Sequence, residues 1–249
     1  YLIGEKGKGM NQFFRLMNFA RVAIANQALG LSQGAFDYAL QYCDDEQGAR
    51  KQFGKKISSF PAIKNLLVDM KVDIEAMRAI VYEATQAMDD KKKLEQELKE
   101  NSGLEEQYKE QENKTYVLVC LAKYLTPKLG EKVVSNAVQI LGGYGYMSEY
   151  PVERHFRDMK ITDLYEGTGQ IQALKVAGDV IKGRFDKELE KIEECLEKKI
   201  TTEGYIYEAA WYLENRLKDF NQAVNQLKEN KKFQQLHTEE LTKELALIY

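Results

Sequence analysis

Histidine, cysteine and proline are scarce in this chain, and each scarcity removes a class of function. Two histidines, His155 and His237, cannot assemble a His-rich metal site. Three cysteines, Cys43, Cys120 and Cys195, lie far apart without a CxxC pair, so neither a disulfide framework nor a zinc site is indicated, and no metal is expected. No apolar run reaches about 18 residues and no signal-peptide pattern is present, so the expectation is a cytoplasmic protein without a membrane partner. Excess positive charge is lacking too. Lys and Arg number 36 against 39 Asp and Glu, a net charge of -3, which argues against a nucleic-acid binder driven by phosphate neutralisation. Only three prolines, with 44% apolar and 30% charged residues, suit a mostly helical protein.

What is present is helical period almost throughout. From Met10 the run through Cys43 places Phe14, Met17, Ala20 or Arg21, and Ile24 near one stripe, and "GLSQG" does not clearly break it. After a Gly-containing loop, Pro61 suits the first turn of a helix predicted over about Ala62 to Asp89, with Ile63, Leu66, Met70, Ile74, Met77 and Val81 in step. Asp89 to Lys114 is almost wholly polar or charged and reads as an exposed insertion, two short helical pieces joined at "NSG". Lys91, Lys92 and Lys93 are expected on solvated faces. A further helix from Tyr116 contains Pro127, which would normally kink or break it. Beyond the Gly-rich corner at 142–145, helices resume after Thr168 and continue through an amphipathic tail. The fold class is therefore all-α: an up-down four-helix bundle of long antiparallel helices over residues 1–182, insertion about 89–114 included, and a helical extension over 183–249. The start on "YLIGEKGKGM" and the end on "ELALIY" are expected to be cuts from a longer protein.

Few residues advertise chemistry. No Walker loop is present, and "GGYG" does not follow a strand, so the dinucleotide-binding fingerprint fails. Three places stand out. Arg50 lies between Gly48 and Gly54, a cation in a Gly-containing loop. Gln139 precedes Gly142 and Gly143 at a helix end, where backbone could approach a ligand closely. Glu166 precedes Gly167 and Thr168, with Thr168 placed as a possible N-cap. Taken singly, each is equally a helix terminus with its capping loop.

In order, however, five segments resemble the C-terminal helical domain of the acyl-CoA dehydrogenase family. They are "GEKGKGM", "NFARVAIANQALG", "RKQFGKKI", "QILGGYGY" and "PVERHFRDMKITDLYEGTGQIQ", and the likeness covers about residues 1–180. The tail and the charged segment resemble a larger branch with a C-terminal helical extension. The family usually has Pro where Lys56 stands, often Gln at Pro61 and in many members Asp at Asn18.

The resemblance implies an FAD-dependent oxidoreductase that dehydrogenates an acyl-CoA thioester. Glu166 would abstract the α-proton while the β-hydride goes to flavin N5. The backbone N–H of the same glutamate would donate to the thioester oxygen, and a dry pocket should raise the carboxylate's pKa. Some members carry the base just before the helix arginine, but Ala20 stands there, so Glu166 is left alone. On the substrate side the resemblance implies Asn18, Arg21, Tyr165 and Gly167. Toward the FAD of a neighbouring subunit it implies Arg50, Gln52, Phe53, Gln139, Gly142 and Gly143, and hence a homo-oligomer. Thr168 and Gln170 would meet the flavin nucleotide of their own subunit, and an electron-transfer flavoprotein is the implied acceptor. The rivals are a flavin-containing, DNA-associated alkylation-response-like protein, against which the acidic balance speaks, and a non-catalytic helical assembly module.

Overall fold

The computed structural model describes residues 1–200, 205–229 and 238–248. Among them the long periodic runs all become helices: α1 (Gly9–Asp44), α2 (Pro61–Glu97), α3 (Glu105–Leu141), α4 (Gly143–Tyr146), α5 (Val152–Leu164), α6 (Gly169–Ile181), α7 (Asp186–Ile200), α8 (Tyr205–Glu229) and α9 (Thr238–Ile248). The all-α reading holds. The only strands among the described residues are the two-residue pair β1 (Lys51–Gln52) and β2 (Lys55–Lys56). No helix of these residues is long and apolar enough to cross a membrane. No disulfide joins the three cysteines; Cys43 and Cys120 are buried and Cys195 is exposed.

Two compact units emerge, residues 1–82 with 122–168, and residues 83–121 with 169–249. In the first, α1 packs along α5, and the core holds Ile24, Ala28 and Ala35 of α1 with Met70, Ile74 and Met77 of α2. The last three are fully buried, each contributing about 1.5–3 kcal/mol by removal from water. The stripe of α1 is buried only from Arg21 onward: Met10, Phe13, Phe14, Leu16 and Phe19 are all more than half exposed. In the second unit, α7 packs on α8, and α9 packs on α6 and α8, closing over Val176, Phe185, Leu217, Phe220 and Leu245. Thr242 of α9 donates its hydroxyl to the carbonyl of Ala173 in α6 at 3.1 Å.

The charged stretch turns at "NSG" as expected, but the helical pieces on either side are neither short nor separate: α2 runs on to Glu97 and α3 starts at Glu105, with the 3₁₀ turn Ser102–Leu104 between them. Asn101 caps that turn by accepting from the amide of Gly103 at 3.0 Å. Lys91, expected on a solvated face, turns inward. Its ammonium meets Glu112 at 2.8 Å and lies 4.7 Å from the ring centroid of Tyr116, so the inner face is held by charge and ring contacts. Lys92 and Lys93 stay exposed. Pro127 neither breaks nor ends α3, which continues to Leu141; one residue earlier the Thr126 hydroxyl donates to Ala122 O at 2.9 Å.

Candidate functional site

The stretch that follows α5 is a strained turn. α5 ends at Leu164, and Tyr165 becomes extended, with φ -82 and ψ 165. Glu166 then takes φ 54 and Gly167 φ 94, two successive left-handed residues, before α6 starts at Gly169. For Gly167 this conformation is free of steric cost. For a glutamate it costs about 1–2 kcal/mol, so the surrounding contacts must hold it. Strain of this kind concentrates at functional positions. Thr168 is the residue immediately before α6, in the N-cap position, and Gln170 lies exposed in the first turn of α6.

Two helices, α1 and α3, hold the turn. From α1, Gln27 accepts a hydrogen bond from the Tyr165 hydroxyl, and nearly two turns earlier the buried Arg21 donates to the Asn18 side chain at 2.8 Å. Burial raises the Tyr165 pKa; the Gln27 bond opposes that rise and the Glu166 charge adds to it. From α3, Lys128 pairs with the buried carboxylate of Asp163 at 3.2 Å. Also from α3, the fully buried Lys123 sends its ammonium to the carbonyl of Thr162 at 2.6 Å and to that of Gly167 at 3.3 Å. Burial lowers the Lys123 pKa to about 8, against the raising influence of Asp163 and with the lowering influence of Arg21; Glu166 raises it and Lys128 lowers it further. Sequence reasoning missed Lys123 and Gln27. The signal for the first was there, a lone lysine in the apolar run "VLVCLAKYL".

A second assembly lies at the β-hairpin. Phe53 with φ 50 and Gly54 with φ 77 form a two-residue turn with both φ positive, and the register Lys51↔Lys56 and Gln52↔Lys55 follows from it. Phe53 is 90% exposed at the tip. Arg50, Gln52 and Phe53 line a groove of about 680 Å³ together with Gly142, Gly143 and Tyr144. The Arg50 guanidinium lies 5.7 Å from the Tyr144 ring centroid. Gly142 has φ 62, and a Cβ at either Gly142 or Gly143 would meet no atom within 4 Å, so the glycines leave an open cradle beside the cation. Gln139 is not in this groove. It lines the adjacent hollow with Ser135, Tyr146, Glu153 and Arg157.

The structure thus brings Arg50, Gln52, Phe53, Gly142 and Gly143 to one groove, and Tyr165, Glu166 and Gly167 to one turn. Asn18 and Arg21 form a third, local pair on α1. Chemically, the turn offers a carboxylate and constrained backbone amides, and the groove offers a cation, aromatic rings and bare backbone.

A family model described as acyl-CoA dehydrogenase, C-terminal domain, matches residues 7–181. The Caffeyl-CoA reductase-Etf complex subunit CarC of Acetobacterium woodii is 34% identical over 180 residues, 72% of this chain and 41% of that protein. A short-chain specific acyl-CoA dehydrogenase of Megasphaera elsdenii is 36% identical over 182 residues, 73% of this chain and 41% of its own. The solved butyryl-CoA dehydrogenase of that organism aligns with a TM-score of 0.56 at 37% identity, covering 71% of this chain and 40% of that one. An acyl-CoA dehydrogenase of Bacillus anthracis, solved in complex with FAD, covers 98% of this chain and 42% of its own with a TM-score of 0.78; at 23% identity it shows the fold alone, C-terminal helices included. The chain spans about two fifths of the length of these relatives.

Proposed function

Because the chain belongs to the acyl-CoA dehydrogenase family, as its C-terminal domain, we propose that it is the C-terminal part of an FAD-dependent enzyme acting on an acyl-CoA thioester, with Glu166 as general base. The observation that carries this reading is the left-handed Glu166–Gly167 turn, in which a strained carboxylate residue is gripped from both α1 and α3. An α-proton next to a thioester is weakly acidic. Its removal needs a base already aimed and a donor for the charge that grows on the thioester oxygen. Glu166 supplies the first through its carboxylate and the second through its own backbone N–H. Tyr165 and Gly167 shape the turn around the acyl chain, and Asn18 with Arg21 offers polar groups on α1 for the CoA portion.

The residues present fit FAD. The cradle at Gly142 and Gly143 leaves room for close approach, and Arg50 beside it suits a pyrophosphate, with Gln52 and Phe53 flanking. FAD, when bound, would accept the β-hydride. Phe53, 90% exposed at a hairpin tip, and Gln139, in the adjacent hollow, are free to reach the FAD of a neighbouring subunit, which makes the working unit a homo-oligomer. Thr168 and Gln170, at the N-terminus of α6, would meet the nucleotide of their own subunit. The exposed apolar start of α1 is the surface on which the remainder of the polypeptide would rest. An electron-transfer flavoprotein is the proposed redox partner, as the name of the Acetobacterium relative suggests.

The same relative's name, a reductase, favours a second reading in which the groups work in reverse and Glu166 returns a proton to the α-carbon. One experiment addresses both. The whole polypeptide is mixed without oxygen with a panel of acyl-CoAs, and its reduced form with enoyl-CoAs, while flavin absorbance is followed. Glu166→Gln should slow whichever direction is active by at least about 10²-fold. Unchanged rates in that variant would remove Glu166 from the mechanism.

A further inference from the structure

We propose that Lys123 is a positioning residue for the Glu166 turn, tethering the two carbonyls on either side of the base so that its side chain and backbone N–H keep a strained, productive orientation. The inference rests on Glu166 being the base. Thr162 and Gly167 bracket Glu166 in the sequence, and one ammonium reaches both, at 2.6 and 3.3 Å. The Thr162 carbonyl belongs to the last turn of α5, where helical acceptors lose their partners and a cation is favoured. Without that donor the turn could relax toward an ordinary φ, and Glu166 would swing away.

The bland reading is a buried lysine that merely completes the core. Burying a cation costs several kcal/mol, and an apolar residue in "VLVCLAKYL" would avoid the cost. Neither contact of the ammonium is to a carboxylate. Both are to backbone oxygens, one in the last turn of α5 and one in the turn that follows it. Four other charges act on it: Asp163 of α5, Arg21 of α1, Glu166 itself and Lys128 of α3. Asp163 is engaged by Lys128 at 3.2 Å. The arrangement therefore spends a buried charge on backbone geometry at the one residue whose geometry the chemistry needs.

The test uses the whole polypeptide with FAD bound. Lys123→Met keeps the stem and removes the donors; Lys123→Gln restores an amide donor without the charge. Flavin reduction by a saturating acyl-CoA is followed by stopped flow, alongside acyl-CoA affinity and flavin content. For Met we expect a limiting rate about 10- to 100-fold lower, with affinity within about twofold of wild type and full flavin, and for Gln a partial recovery. A Met rate within about twofold of wild type, or a parallel loss of affinity, flavin and rate, overturns the proposal. If Met fails to fold, Gln carries the test: a selective loss of limiting rate supports the tether, and full wild-type rate or loss of flavin refutes it. Glu166→Gln is measured in parallel. Retained reduction there sinks the base assignment, whereas its loss with normal Lys123→Met kinetics sinks only the tether.

Discussion

The hydroxyl of Tyr165 donates to the side-chain oxygen of Gln27, joining the turn after α5 to the middle of α1 across 138 positions of sequence. If this bond is the main tie between the two, Tyr165→Phe and Gln27→Ala each lose about 0.5–1.5 kcal/mol of stability. The double variant should then lose no more than the larger single one. A double-mutant cycle on chemical denaturation measures this directly, and additive losses would show that the two side chains act separately.

The hairpin tip makes an opposite prediction for folding and for binding. Phe53 is left-handed at φ 50 with its ring in solvent, a conformation that favours glycine. Phe53→Gly should leave stability unchanged or raise it by up to about 1 kcal/mol, while FAD affinity falls because the exposed ring is gone. Thermal midpoints of apo and FAD-loaded protein, with flavin titration, separate the two effects. A variant that is both less stable and normal in flavin binding contradicts the assignment.

Gly143 and Gly145, two residues apart, should respond differently to the same methyl group. At Gly145 a Cβ would stand 2.5 Å from the carbonyl oxygen of Val138 and 2.9 Å from its Cα, backbone that cannot step aside. Gly145→Ala is expected to destabilise by about 1–3 kcal/mol. At Gly143 a Cβ would meet nothing within 4 Å, so Gly143→Ala should fold normally and instead weaken FAD binding by filling the cradle. Equal behaviour of the pair in denaturation and flavin titration would count against the cradle.

Much of this was legible before the fold was known, and the parts that were not share a cause. Long apolar stripes at three- and four-residue steps announced α1, α2 and α3, because burying such a stripe is what stabilises a helix in a bundle. The charged stretch between Asp89 and Lys114 misled because its order comes from Lys91 reaching Glu112 and Tyr116, contacts that leave no hydrophobic period. The motif around Glu166 pointed to the turn, but nothing in "YEGT" says that the glutamate itself, and not only the glycine, is left-handed. Lys123 lies 43 residues upstream of Glu166, and only the packing of α3 against α5 brings its ammonium to the turn. Gln139 was grouped with Gly142 and Gly143 by proximity in sequence; the helix end between them leaves Gln139 lining one hollow and the two glycines another.

The buried lysine also fixes the sign of a pH effect on stability. An unfolded lysine titrates near 10.5, whereas burial brings Lys123 down to about 8 in the folded chain. Below pH 8 both states hold the proton and the full cost of burying the charge is present. Between about 8 and 10.5 the unfolded chain binds a proton that the folded chain has released, so this residue makes the protein more stable as pH rises. Above 10.5 neither state is charged. The span corresponds to roughly 3 kcal/mol, added to whatever the other groups contribute. Comparing wild type with Lys123→Met cancels those other groups, since methionine does not titrate. The stability difference, wild type minus variant, should therefore climb from pH 7 to pH 10.5 in paired denaturation curves. A flat difference over that range would mean that the ammonium is solvated or paired more strongly than its two carbonyl contacts allow.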